Sequence, residues 1–149
     1  MKIVILLLII FYSFTSQAHK FEADNMIVNH PWMKVFNMNG AGYFKIKNIG
    51  KTDIELLEVV SESVNNIEMH TIIMEEGVSK MRPIKGGVII KVGESIEFKP
   101  MGYHLMFFEI NEKLLEGELM NTHFRFKNSK DLIVKFKVES NKSSHNHEH

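Results

Sequence analysis

Leu132-Ile133-Val134-Lys135-Phe136-Lys137-Val138-Glu139 decides the fold class, because Leu132, Val134, Phe136 and Val138 alternate with Ile133, Lys135, Lys137 and Glu139. A period of two sends alternate side chains to opposite faces of a strand, so one set can be buried while the other stays in water. The same alternation recurs in His123-Phe124-Arg125-Phe126-Lys127 and in Phe44-Lys45-Ile46-Lys47-Asn48. Turn residues separate such runs at Asn39-Gly40, Gly50-Lys51-Thr52-Asp53, Gly86-Gly87, Gly93 and Asn128-Ser129-Lys130-Asp131. Many short strands with regular turns and no long helical pattern predict an all-β antiparallel sandwich. There is no internal repeat.

The ends of the chain differ from this body. Residues 1–18 read as a signal peptide: Lys2 provides the positive start, Ile3 to Phe14 the apolar core, and Ser16-Gln17-Ala18 the small-x-small cleavage site. The core is short of the roughly 20 apolar residues of a spanning helix, so no stable membrane insertion is expected after cleavage. With no cysteine at the cleavage point, a lipoprotein anchor is not expected. Processing after Ala18 leaves 131 residues, the size of one domain. That domain is expected over 19–139, and the polar segment 140–149 is expected to be a disordered tail with His145, His147 and His149.

Composition removes several function classes. The chain carries 18 basic and 18 acidic residues, which leaves no basic excess for a nucleic-acid surface. It has no cysteine, so disulfide staples, thiol redox catalysis and a blue-copper centre are all excluded.

What remains chemically distinctive is a set of soft donors, His70, Met81, His104 and Met106. Thioethers suit Cu(I) better than Zn(II), Mg(II) or Ca(II), so two imidazoles with two methionines point to a Cu(I) site. His104 and Met106 lie two apart in Gly102-Tyr103-His104-Leu105-Met106-Phe107-Phe108, which as a strand turns both to one face. His70 and Met81 flank Gly77, the natural turn of a hairpin that would bring them together. Met69, beside His70, is expected on the opposite face.

These residues resemble the signature of the periplasmic copper chaperones of the PCuAC family: His, ten residues, Met, about twenty-one residues, His, one residue, Met. Here ten residues separate His70 from Met81, twenty-two separate Met81 from His104, and one separates His104 from Met106. Pro31-Trp32, Ala41-Gly42-Tyr43-Phe44-Lys45-Ile46-Lys47-Asn48 and Met81-Arg82-Pro83 extend the resemblance over nearly all of the mature chain. Lys34 stands where the family usually has Arg, and Met101 where a second Gly often precedes Gly-Tyr-His. Neither departure removes a donor, although Met101 adds a thioether that could compete.

The resemblance implies a cupredoxin-like Greek-key β sandwich, not an enzyme. It further implies a periplasmic chaperone that delivers Cu(I) to a respiratory cytochrome oxidase subunit, directly or through a thiol-bearing assembly factor. The tail histidines are candidates for auxiliary Cu(II) binding, with electrons for its reduction coming from elsewhere.

Two other classes stay open on the sequence. One is a metal-free β-sandwich interaction module. The other is a secreted copper enzyme using His19 as the mature N-terminal residue. Trp32 is expected to anchor the core and Tyr103 to pack beside the donors. His30 and His123 read as ordinary histidines, and Met26, Met33, Met38, Met74 and Met120 as core or gap-filling residues.

Overall fold

The computed structural model of the chain describes residues 20–140. All eleven elements among them are strands: β1 (Lys20–Ala23), β2 (Met26–Phe36), β3 (Asn39–Asn48), β4 (Ile54–Val60), β5 (Val64–Glu75), β6 (Val78–Pro83), β7 (Val88–Ile90), β8 (Ser95–Phe98), β9 (His104–Ile110), β10 (Leu119–Lys127) and β11 (Leu132–Val138). Hydrogen bonding runs in the order β6-β5-β9-β3-β2-β11-β10-β4-β7, with β1 on β2 and β8 sharing an edge of β3 with β9. All pairs are antiparallel except β11 with β2, which meet in parallel at Lys137↔Trp32 and Val138↔Met33. That short seam joins the two layers of the sandwich along one side.

The alternating residues of β3, β10 and β11 fill the space between the layers. Phe44 of β3 stacks on Phe98 of β8 at 4.3 Å and meets Phe124 of β10 edge-on at 4.9 Å. Phe107 of β9 reaches Phe136 of β11 at 5.7 Å. The first is a cross-strand pair within one layer and the other two join β3 and β9 to β10 and β11 through the core, each adding about 0.5–1.5 kcal/mol beyond the area buried.

Asn48 is a polar member of that inward face and is fully buried. Its Nδ2 donates to the carbonyls of Thr52 at 2.8 Å and Ile90 at 2.9 Å, and its Oδ1 accepts the Gly50 N–H at 2.9 Å. One side chain thereby ties the β3–β4 turn to the end of β7. Asn48→Ala leaves these three backbone groups without their partner, for an expected loss of about 2–3 kcal/mol, read as a lowered urea midpoint.

Two expectations need correction. Asn39-Gly40 is not the β2–β3 turn: Phe36 pairs with Asn39, so Asn37 and Met38 form the loop, with Asn37 in the left-handed region at φ 58°. Gly40 instead sits in the strand, where a Cβ would lie 3.0 Å from the Lys34 carbonyl oxygen. Met38 and Met74 are not core residues either. Met26, Met33 and Met120 are buried, but Met38 lies in the hairpin loop and Met74 on an outer face, both largely in solvent.

Candidate metal centre

Three neighbouring strands carry the four candidate donors. Glu75 and Val78 close the β5–β6 hairpin over Glu76 and Gly77, both at positive φ, the two-residue turn whose twist matches that of the strands. On the hairpin, Lys80 at 2.7 Å and Arg82 at 2.9 Å grip the Glu75 carboxylate. The hydrogen bond from Lys80, followed by the charge of Arg82, holds that carboxyl below its ordinary range.

Strand β5 is flanked by β6 on one side and β9 on the other. The β5–β9 register sets His70 directly opposite His104 and Glu68 opposite Met106. The β5–β6 register sets Ile72 opposite Met81 and His70 opposite Pro83. Since side chains alternate along each strand, His70, His104, Met106 and Met81 all belong to one face of this three-stranded segment. Met69 and Leu105 take the other face and are buried in the core.

The two histidines are nearly enclosed, His70 at 9% and His104 at 4% exposure, with ring centroids 5.7 Å apart. Each ring uses one nitrogen for a hydrogen bond. His104 Nδ1–H donates to the Gly102 carbonyl at 2.9 Å, and His70 Nε2–H donates to Glu68 Oε2 at 2.7 Å. Carbonyl and carboxylate oxygens only accept, so in neutral rings the proton lies on those nitrogens and the lone pair on the others. The others, His70 Nδ1 and His104 Nε2, are buried with no hydrogen-bond partner. A buried unpartnered acceptor is costly unless something binds it. Both lone pairs are therefore suited to a metal ion.

Met106 is half-buried beside His104, whereas Met81 stands at the hairpin and is largely exposed. Among the described residues no group of three or more His, Asp or Glu side chains is placed to hold a metal. Met106 and Met81 place sulfur, the donor type that favours Cu(I), on the same face as the two imidazoles. Met74 also falls on this outer face, two positions beyond Ile72, and its Sδ lies 3.1 Å from Ser79 Oγ. Sequence reasoning placed it in the core, although its parity with His70 carried the signal.

The surroundings sort the remaining candidates. Trp32 does not anchor the core; it lies half-buried against Tyr43, centroids 4.4 Å apart, on the sheet face that holds Met106. Tyr103 sits against Phe98, 5.7 Å between centroids. Met101 is exposed in the turn before β9, with φ 64°. His30 is exposed in a bulge of β2 that accommodates Pro31, and His123 is exposed on β10. His19, His145, His147, His149 and the segment 1–18 lie outside the described residues.

Burial pushes the Tyr43 hydroxyl above the ordinary phenol value. The folded state then holds this proton more firmly than the unfolded chain does. The group's contribution is complete below a pH of about 10 and is lost as pH climbs through the higher folded value. Urea midpoints from pH 9 to 11 should accordingly fall less steeply in Tyr43→Phe than in the parent.

Residues 26–138 match the LpqE-like family, described as "putative lipoprotein LpqE-like". The chain belongs to the LpqE-like family. A curated relative of this LpqE-like protein is the uncharacterised protein RP573 of Rickettsia prowazekii (strain Madrid E), 29% identical over 100 residues. That match takes in 67% of this chain but only 55% of the length of RP573.

Among solved structures, the apo PCuAC domain from PmoF1 superposes with a TM-score of 0.69 at 18% identity, covering 82% of this chain and 99% of that one. The copper-bound PCuAC domain from PmoF2 gives 0.69 at 14% identity, with 82% and 98% covered. The Cu(I) form of DR1885 from Deinococcus radiodurans gives 0.57 at 18%, with 85% and 83% covered. The PCuAC resemblance read from the motifs thus extends to the whole fold, a cupredoxin-like β sandwich.

Proposed function

We propose that this LpqE-like protein is a periplasmic copper carrier that holds Cu(I) between His70, Met81, His104 and Met106. The observation that carries the reading is the pair of buried imidazole nitrogens left without partners on facing residues of β5 and β9. A ring centroid lies roughly 3 Å from a metal bound by its nitrogen. Two rings 5.7 Å apart therefore leave room to share one ion. Met106 on the same face and Met81 on the adjoining hairpin supply the thioethers. The copper-bound PmoF2 domain and the Cu(I) form of DR1885 share the fold, which favours the same cargo here.

The role is carriage rather than catalysis. Thioethers carry no proton and do not form disulfides, so they hold Cu(I) in an oxidising, mildly acid compartment where imidazoles weaken by protonation. Met81 is the outermost donor and is placed to be displaced first, after which an acceptor thiolate can take the ion ligand by ligand. The acceptor we propose is the copper centre of a cytochrome oxidase under assembly, or a thiol-bearing factor that serves it. Export by the segment ending at Ala18 would put the carrier in that compartment, and His145, His147 and His149 would serve as a secondary Cu(II) trap.

The test is anaerobic Cu(I) titration against a chromophoric chelator, using the processed protein and a form ending at Glu139. One tight equivalent in both, weakened by His70→Ala, Met81→Leu, His104→Ala and Met106→Leu, is the expected result. Weak binding that no substitution changes would overturn the four-donor site.

A further inference from the structure

We infer that Glu68 is a positioning residue that selects Nδ1 of His70 as the nitrogen offered to copper. This rests on the copper-carrier reading of the site, and it goes beyond the four donors to the group that sets one of them. Along β5, Asn66, Glu68 and His70 share the outer face at a spacing of two. Asn66 Nδ2 donates to Glu68 Oε1 at 3.0 Å, and Glu68 Oε2 accepts from His70 Nε2–H at 2.7 Å. The result is a polar line along one strand, ending in an imidazole whose far nitrogen is buried and unpartnered.

The chemistry follows from the tautomer. A free imidazole can carry its proton on either nitrogen, and a proton on Nδ1 would leave no lone pair at the buried, unpartnered position. A carboxylate can only accept, so at 2.7 Å it keeps the proton on Nε2 and fixes the ring plane. Its negative charge also makes the opposite nitrogen a stronger donor. Asn66 occupies the second carboxylate oxygen and so limits rotation of Glu68. In the turn before β9 the Gly102 carbonyl holds His104 in the complementary tautomer, with Nε2 left unpartnered. The two histidines thus present different nitrogens from facing positions, one oriented by a side chain and the other by backbone. Only the first can be removed by substitution.

The test combines histidine ¹⁵N NMR of the copper-free protein with Cu(I) titration, comparing the parent with Glu68→Ala and Glu68→Gln. The parent should show His70 protonated at Nε2 alone. Glu68→Ala should give a mixture of tautomers and a Cu(I) affinity lower by about 10–100-fold. Glu68→Gln keeps an accepting oxygen and should retain the Nε2–H form, with affinity within several-fold of the parent.

His70 protonated at Nδ1 in the copper-free parent would overturn the inference without any variant. So would an altered tautomer in Glu68→Ala with unchanged affinity. A parent that binds no Cu(I) at all, whatever its tautomer, removes the carrier reading and this role with it, and is recognised by failing before any substitution.

Discussion

His104→Ala is expected to weaken Cu(I) binding about a hundredfold while leaving the copper-free protein folded. Structural metal sites with four donors bind with about 10–16 kcal/mol, so one donor accounts for roughly 3 kcal/mol, or two decades in Kd. The fold should survive because two effects oppose each other. The substitution deletes the hydrogen bond to the Gly102 carbonyl, but it also deletes a buried nitrogen that has no partner in the copper-free state. Each is a term of about 1 kcal/mol.

Thermal melts separate the two quantities. At free Cu(I) a thousandfold above the parent Kd, binding stabilises the parent by about 4 kcal/mol, whereas a hundredfold weaker variant gains about 1.4 kcal/mol. Copper should therefore raise the Tm of the parent well above that of His104→Ala, with the copper-free melts close together. Equal rises would mean that His104 is not a donor.

Gly42→Ala is expected to be among the most damaging single substitutions in the core, at about 2–3 kcal/mol. A Cβ at this position would lie 2.5 Å from Phe107 Cε2 and 3.1 Å from Phe136 Cε1. The first distance is far inside van der Waals contact, and both neighbours are ring atoms of fully buried phenylalanines that have no flexible end to withdraw. Overpacking of this kind displaces backbone. The backbone most exposed to it is β9, because Gly42 pairs with Leu105, which lies between His104 and Met106. Loss of stability should therefore come with weaker Cu(I) binding, although Gly42 is not itself a proposed donor.

Gly77→Ala is the informative control. Nothing lies within 4 Å of its Cβ position, but its φ of 76° strains any residue with a side chain. The expected loss is only about 1–2 kcal/mol, from backbone strain alone. Denaturant midpoints of both variants, read beside their Cu(I) affinities, distinguish crowding near the site from strain at the turn.

The alternation in residues 44–48, 123–127 and 132–139 was legible as strands, and the turns at Gly50, Gly86-Gly87, Gly93 and Asn128 fall where expected. The Asn39-Gly40 pair misled because the same dipeptide serves a turn or a tight strand crossing, and only the packing of Met33 and the Lys34 carbonyl against Gly40 distinguishes them. Methionine misled for a related reason. Its adaptability suits cores, yet Met74 shares the outer face of β5 with His70 and Glu68.

By itself the sequence determined the all-β class, the soft character of the candidate donors, and the common face of His104 and Met106, because composition and a period of two are local properties of the chain. Tertiary structure alone decided that β5 lies between β6 and β9, that His70 stands opposite His104, and that Glu68 hydrogen-bonds one ring while the Gly102 carbonyl hydrogen-bonds the other. The reason is physical. Alternation tells which face of a strand a side chain occupies, but the residue it meets there depends on strand order and register, set by packing between segments distant in the chain.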